Sequence, residues 1–237
     1  MKTTLYKSNE RGHANHGWLN TYHTFNFGNY YHPNRTNFGS LRVFNDDFVQ
    51  PRAGFGKHPH DNMEIVSIVL DGELSHEDSM GNKGTIRKNE IQVMSAGSGI
   101  FHSEFNSSKS EVTNFLQVWI YPKEKGITPT YGQASLHNFN SQNNLSNIIS
   151  PRVEGEKLSI NQNTWFYMGE YDQSKDVNYN VNDKNNGVYI FIIEGGITIN
   201  NYDLTKRDAV GVYETDSINF TVEDNSRILL IETPMEF

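Results

Sequence analysis

"FGKHPHDNMEIVSIVLDG", residues 55–72, carries two signals at once. From Glu64 to Leu70 it is a run of mostly apolar, β-branched residues, closed by the turn-prone pair Asp71-Gly72. Short apolar runs punctuated in this way read as strands. Just upstream, His58 and His60 stand two residues apart. Side chains at i and i+2 of a strand share a face, so the two imidazoles project together. They are either turn residues that happen to be histidine or half of a metal site whose other half lies elsewhere.

Working outward, the same strand punctuation recurs over residues 41–49, 63–72, 72–80, 90–106 and 113–122, and again over 187–200, 208–214, 217–222 and 226–234. Long apolar patterns of period 3.6 are missing. The predicted class is all-β, a sandwich or barrel. Residues 136–150, polar and Asn-rich with Pro151 next, read as a linker or short helix, and residues 172–187 as a hairpin loop or an edge. The two halves also resemble each other. "IVSIVLDGELSH" and "YIFIIEGGITIN" both read as strand, acidic Gly turn, strand, and "KNEIQVMSAG" parallels "KRDAVGVYET". This points to two copies of one β unit. The second copy contains no histidine, because the last one is His137.

Composition narrows the function classes. A chain of 237 residues can bury a substantial core in one large or two smaller β domains. The net charge is −8 and the basic residues are scattered, so direct nucleic-acid binding and an anionic membrane surface are not expected. There are no cysteines, which excludes disulfides, thiolate metal sites and cysteine nucleophiles. The start "MKTTLYKSNERGHANHGW" shows no signal-peptide core, and no segment approaches the ~18 apolar residues of a membrane span. A soluble, cytoplasmic protein is expected.

The missing half of the metal site is "GIFHSEFN", where His102 and Glu104 repeat the i, i+2 spacing. If the two strands lie close together, three imidazoles and one carboxylate converge. Iron, manganese, nickel, cobalt, copper and zinc all accept such a mixture. Four protein ligands would leave one or two positions open on a five- or six-coordinate metal, which favours a catalytic or ligand-binding centre.

These residues resemble the cupin superfamily and, within it, the pirin family. The first cupin motif appears as Gly54, "HPH" at 58–60, Glu64 and Gly72, and the second as "AGSGIFHSEFN" with Gly97, His102 and Asn106. "DSMGNKG", "SAGSGIFHSE", "RGHANHGWLNTYHTFNFGNYY" and "FGSLRVFNDD" are similar to pirin stretches, and the likeness runs over roughly residues 10–135. It implies a bicupin of two jelly-roll β-sandwich lobes: a metal-binding cupin domain over 1–135, a linker over 136–150, and a degenerate cupin domain without metal ligands over 151–237. It implies His58, His60, His102 and Glu104 as the metal ligands. Glu64 is then outside the ligand set, in a hydrogen bond or salt bridge near the site. One departure stands out: many pirins carry a basic or small residue after HPH, and here it is Asp61, an acid that could alter substrate preference.

Other candidates have plainer readings. His13, His16, His23 and His32 are assigned to packing and loop hydrogen bonds, and His76 to a strand end. Trp18, Trp119 and Trp165 are assigned to the core. Arg42 faces either the cavity or an acid. Through the resemblance, the function reading is a quercetin 2,3-dioxygenase-like enzyme that cleaves the central ring of a flavonol with O2, with Glu104 as the catalytic base. Fe(II) is the expected metal, and Mn, Ni, Co, Cu or Zn are alternatives. The partners are a small aromatic substrate and O2, and the chain is read as a monomer. The alternative is a non-catalytic, iron-binding regulatory module that binds a protein partner. A sugar-isomerase-like or storage cupin is disfavoured by the pirin-type stretches.

Overall fold

The computed structural model describes residues 1–152 and 158–237. Residues 153–157, which fall in the predicted second domain, lie outside the described residues. The all-β expectation holds: twenty-two strands form four sheets, and the described helical elements are two short 3-10 turns, Ser8–Glu10 and Leu136–Asn138.

Each lobe pairs a seven-stranded sheet with a four-stranded one. In the amino-terminal lobe the large sheet runs in the order Thr130–Ser135, Glu90–Ser95, Glu64–Asp71, Thr113–Ile120, Leu41–Val49, Leu19–His23, Gly12–Asn15. Its small sheet runs Gly54–His60, Ile100–Phe105, Glu73–Asp78, Lys83–Arg87. In the carboxy-terminal lobe the large sheet runs Lys2–Tyr6, Ala209–Tyr213, Asn186–Glu194, Ser226–Pro234, Trp165–Tyr171, Leu145–Pro151, Ser159–Ile160. Its small sheet runs Lys175–Asn180, Ser217–Val222, Gly196–Ile199, Tyr202–Thr205.

The two large sheets pack face to face. Val66, Ile68, Leu116 and Val118 of one lobe and Phe166, Tyr189, Phe191 and Leu229 of the other share a single buried cluster. Phe44 sits with its ring centroid 4.6 Å from that of Phe191 across this seam. The central strands are therefore covered on both faces, which is why they read as continuous apolar runs rather than alternating ones. Strand parity then sends the odd-numbered residues of Glu64–Asp71, including Ser67, into the amino-terminal lobe's interior.

The repeated turns are confirmed. Gly72 and Gly195 follow the equivalent strands with φ of 75° and 73°, a region glycine enters without steric cost. A Cβ on Gly72 would sit 2.9 Å from Thr113 Oγ1, and one on Gly195 would collide with Ser226 Oγ.

Three expectations need correction. Residues 136–150, read as a linker or short helix, do begin with a short 3-10 turn, Leu136–Asn138, but continue into a strand, Leu145–Pro151, antiparallel to Trp165–Tyr171. The first strand, Lys2–Tyr6, pairs with Ala209–Tyr213, so it completes the sheet of the carboxy-terminal lobe rather than that of its own half. Residues 90–106 form two strands, split by the Gly97–Gly99 turn, and these go to different sheets. The partner of Lys2–Tyr6 lies some two hundred residues away, so local propensity could not reveal that pairing. The 172–187 segment resolves into an edge strand, Lys175–Asn180.

Candidate metal centre and cavity

His58 and His60 lie on strand Gly54–His60, which is hydrogen-bonded to Ile100–Phe105 with His102 opposite His58. Between His102 and Glu104 the register slips by one residue, a bulge on the His58 strand at Gly56-Lys57. Within that bulge, His58 Nδ1 lies 2.7 Å from the Gly56 carbonyl oxygen. A carbonyl only accepts, so Nδ1 carries the proton and Nε2 presents its lone pair. That Nε2 lies 3.0 Å from His102 Nε2. The ring centroids of His58, His60 and His102 are 4.4–4.9 Å apart.

The donor set fits a metal. The ligand atoms of His58, His60 and His102 all lie within 4.8 Å of one another. Two nitrogens about 2.1 Å from a common centre are about 3 Å apart when they subtend about a right angle, which matches the His58–His102 separation. Burial, reinforced by the neighbouring imidazoles, pushes His60 down to about 4 and His102 down to about 3, so both are neutral and able to ligate at neutral pH.

Glu104 is 1% exposed and belongs to a second such set, with His76 and His102. Three strands of the facing sheet supply donors to it. Gln117 Nε2 donates to Oε2 at 2.7 Å, and Gln92 Nε2 donates to Oε1. Ser67 Oγ, 2.9 Å from Oε1, can donate there or to Gln117 Oε1 at 3.0 Å. The structure thus places all four predicted ligands on the inner faces of two adjacent strands, and the three imidazoles are the tighter group.

Sequence reading missed what stands behind Glu104. Gln92 pairs with Ser67, Ser67 with Gln117, Gln117 with Asn45, and Asn45 with His23. This is one polar row crossing five strands of the large sheet. His23 Nδ1 lies 2.9 Å from Asn45 Oδ1, and Gln92 Nε2 donates to Ser67 Oγ at 3.0 Å. The available signal was a lone polar residue in each apolar run: "IVSIV", "IQV", "LQVW". Asp47, two residues beyond Asn45 on the same face, was missed as well. It is 3% exposed, and its Oδ1 has no hydrogen-bond partner. Burial pushes its carboxyl up to about 7, although a Thr21 hydrogen bond opposes the shift.

A cavity of about 580 Å³ opens onto these groups. Phe27, Tyr30, Phe55 and Trp119 contribute aromatic rings to its lining, and Thr21, Asn45, Asp47 and Gln117 contribute polar groups. His58, His60 and Glu104 complete the lining. Trp119 is therefore cavity wall rather than core alone, edge-on to His60 at 4.9 Å.

The remaining candidates sort as follows. His13, His16 and His23 also line this cavity, beyond their packing role. His13 stacks on Tyr22 at 4.7 Å and bonds Asn20 Oδ1 at 2.6 Å. His32 accepts from the Asn34 amide, a loop bond as expected. His76 is not a strand-end residue in solvent: it is buried, 5.5 Å from His102 and stacked on Tyr131. Arg42 meets neither the cavity nor an acid, because its guanidinium donates to the Asn26 and Thr36 carbonyls. Glu64 does accept hydrogen bonds, from Ser95 Oγ at 2.6 Å and the Asn161 amide at 2.9 Å, but on the opposite face of its strand, toward the other lobe. Asp61 is exposed, bonds Asn62, and is absent from the cavity lining. No described helix is long and apolar enough to cross a membrane.

Comparison with known proteins agrees with this geometry. The Pirin family model matches residues 5–120, and the model for a quercetinase C-terminal cupin domain matches residues 147–233. A protein named quercetin 2,3-dioxygenase from Escherichia coli (strain K12) is 40% identical, over 97% of this chain and 98% of the relative. A pirin-like protein from Caulobacter vibrioides is 34% identical, over 93% of this chain and 95% of the relative. The crystal structure of bacterial pirin YhhW from Escherichia coli in complex with nickel(II) is similar with a TM-score of 0.91 and 38% identity, covering 98% of this chain and 99% of that one. The nickel there is a property of that protein. Likeness over nearly the whole length, with both family models in chain order, shows that this chain belongs to the pirin family, as a bicupin.

Proposed function

We propose that the chain is a metal-dependent dioxygenase of the quercetin 2,3-dioxygenase kind, acting with O2 on a flat, hydroxylated aromatic substrate such as a flavonol. The observation that carries this reading is the cavity, lined by both aromatic rings and polar side chains and opening onto Glu104, His58 and His60. Its volume suits a small molecule. A sealed interior would have supported the regulatory reading instead.

His58, His60, His102 and Glu104 are the residues that would hold the metal. A divalent transition metal bound there supplies Lewis acidity at the substrate oxygen and a redox path to O2. We take Fe(II) as the resident ion; the nickel-bound relative and the mixed nitrogen–oxygen donor set make Ni(II) the first alternative. The chain's own residues do the rest. Glu104 accepts the hydroxyl proton of the substrate on a carboxylate oxygen. Gln92, Ser67 and Gln117 hold that carboxylate in place while it does so. Trp119, Phe55 and Tyr30 orient the aromatic plane and exclude water from it.

The test is to load metal-free protein with iron, manganese, nickel, cobalt or copper in turn and supply quercetin in air. Loss of flavonol absorbance with at least one metal, and none with Glu104→Ala, is the expected result. No loss above the Glu104→Ala control with any metal contradicts the reading.

One observation favours a second reading, a metal-binding regulatory module. Phe101 and Phe105 alternate with His102 and Glu104 on one strand and are 49% and 42% exposed on its outer face. A partner there would sense the metal through a single strand. A pull-down that recovers no partner in either oxidation state of the metal counts against it.

A further inference from the structure

A second cavity, of about 900 Å³, lies between the lobes and is separate from the metal cavity. Its lining carries five cations, Arg11, Lys88, Lys206, Arg207 and Arg227, against three carboxylates, Asp46, Asp71 and Glu194. On a chain of net charge −8, this is a local reversal of sign.

The reversal sits deep in the cleft rather than at its rim. At the rim, Lys88 pairs with Asp71 at 3.0 Å and Lys206 with Glu194 at 2.8 Å, all four side chains being largely exposed. Such pairs contribute little and rearrange easily. Deeper in, two guanidiniums share a single carboxylate oxygen. Asp46 Oδ2 is 3.2 Å from Arg207 Nε and 3.7 Å from Arg11 Nη1. The other oxygen, Oδ1, accepts from Asn114 Nδ2 at 2.8 Å. Both guanidiniums lie over the same Phe191 ring, at 5.4 and 5.9 Å. Arg11 Nε, Arg207 Nη1 and Arg227 Nη2 are buried and have no hydrogen-bond partner. Arg227 Nε has a carboxylate of its own, with Glu170 Oε1 at 3.1 Å. A buried charge ordinarily finds a partner of opposite sign, and here three guanidiniums face two carboxylates, Asp46 and Glu170. Burial disfavours the charged forms of Arg11 and Arg227; Asp46 and Glu170 oppose that shift, and the like charge of Arg207 adds to it.

The backbone adds an independent observation. Arg207 sits at φ 69°, in the left-handed region. The matching turn of the other lobe has Asn89 there, at φ 61°, a residue that tolerates this conformation. Holding an arginine in that conformation costs free energy and aims its side chain across the lobe boundary. Its side chain and that of Arg227 remain 16% and 15% exposed, so a ligand can reach them.

We propose that this cleft is an oxyanion site, receiving a phosphate or carboxylate group of a small molecule on Arg207 and Arg227, with Arg11 behind them. Guanidinium forks match both groups. The occupant would complete the charge balance that Asp46 and Glu170 leave open, and would bridge the two lobes.

The test is isothermal titration calorimetry of the full chain with sodium phosphate in one arm and sodium citrate in the other. Sodium chloride at matched ionic strength is the reference. Binding of phosphate, citrate or both above the chloride reference is expected; the arm that binds names the group recognised. Arg207→Gln should weaken that binding at least tenfold. Because Arg207 also contacts Asp46, Arg227→Met is the second variant. It removes the pair with the half-exposed Glu170 but leaves the Asp46 pair intact, and it should weaken binding in the same direction. Lys123→Gln should bind like wild type. Heats equal to the chloride reference in both arms overturn the proposal, as does undiminished binding by both arginine variants. Either result would leave the arginines as a lobe-to-lobe clamp.

Discussion

Strand Glu64–Asp71 of the amino-terminal lobe and strand Asn186–Glu194 of the carboxy-terminal lobe hold the same third place in their seven-stranded sheets. Ser67 stands five residues before Gly72, and Ile190 five before Gly195. Ser67 pairs with Gln92 and Gln117, whereas Ile190 pairs with Val210 and Leu230. The same row is thus polar in one lobe and aliphatic in the other. In the carboxy-terminal lobe it joins Val188, Ile192, Val212 and Ile228 in a filled core. In the amino-terminal lobe it supports Glu104 and faces a cavity. Two like sandwiches thus differ in their interiors: one is packed with aliphatic side chains, and the other keeps a polar row beside a cavity.

Substitutions can break that contrast, and the largest effect is expected at the hollow lobe's carboxylate. Glu104→Ala should lower flavonol turnover by about 10²–10⁴-fold, the range for loss of a positioned acid–base group, when assayed under metal saturation. Next, Ile190→Ala in the filled lobe should cost about 3 kcal/mol of stability by urea unfolding, the range for a buried Ile-to-Ala truncation, with metal content unchanged. His60→Ala should do the reverse, losing metal while costing less than about 1 kcal/mol in metal-free protein, because its ring borders open space.

Smaller effects sharpen the comparison. Gln117→Ala removes a donor to Glu104 and should weaken metal affinity by about 10–100-fold, as loss of a supporting hydrogen bond does, in a competition titration against a chelator. Asp47→Asn tests the burial of an acid in the hollow lobe. The folded-state value of about 7 lies above the ordinary 3.8, so the folded protein holds this proton more tightly than the unfolded chain does. Its contribution to stability is present at low pH and is lost as pH rises from about 4 to about 7. The variant should therefore gain on wild type across that window, by about 1 kcal/mol or more. A gap that does not change with pH would show that Asp47 ionises freely.

The parts legible in the sequence were those that depend on parity along one strand. His58 with His60, and His102 with Glu104, announce shared faces whatever sheet they join. The strands over 41–49, 217–222 and 226–234 were legible because each is bounded by turn residues and carries enough apolar side chains. The polar row was not. Gln92, Ser67, Gln117, Asn45 and His23 come together only through the register of five strands whose order in the sheet is not their order in sequence. The same reason hid the place of Lys2–Tyr6, whose partner lies some two hundred residues away. Trp119 was read as core because its strand is buried, yet parity turns its ring toward His60. Glu64, which the resemblance already set outside the ligand set, is put by parity on the other face of its strand, against Asn161.

The central claim is that metal chemistry is confined to one of two like lobes, on His58, His60, His102 and Glu104. The most direct measurement is metal content per chain by mass spectrometry, for protein purified without a metal-affinity tag. Wild type and a His58→Ala/His60→Ala double variant would be compared, each confirmed folded by circular dichroism. The account predicts one transition-metal ion per wild-type chain and none in the double variant. Two ions per chain, or one retained by the folded double variant, would contradict it.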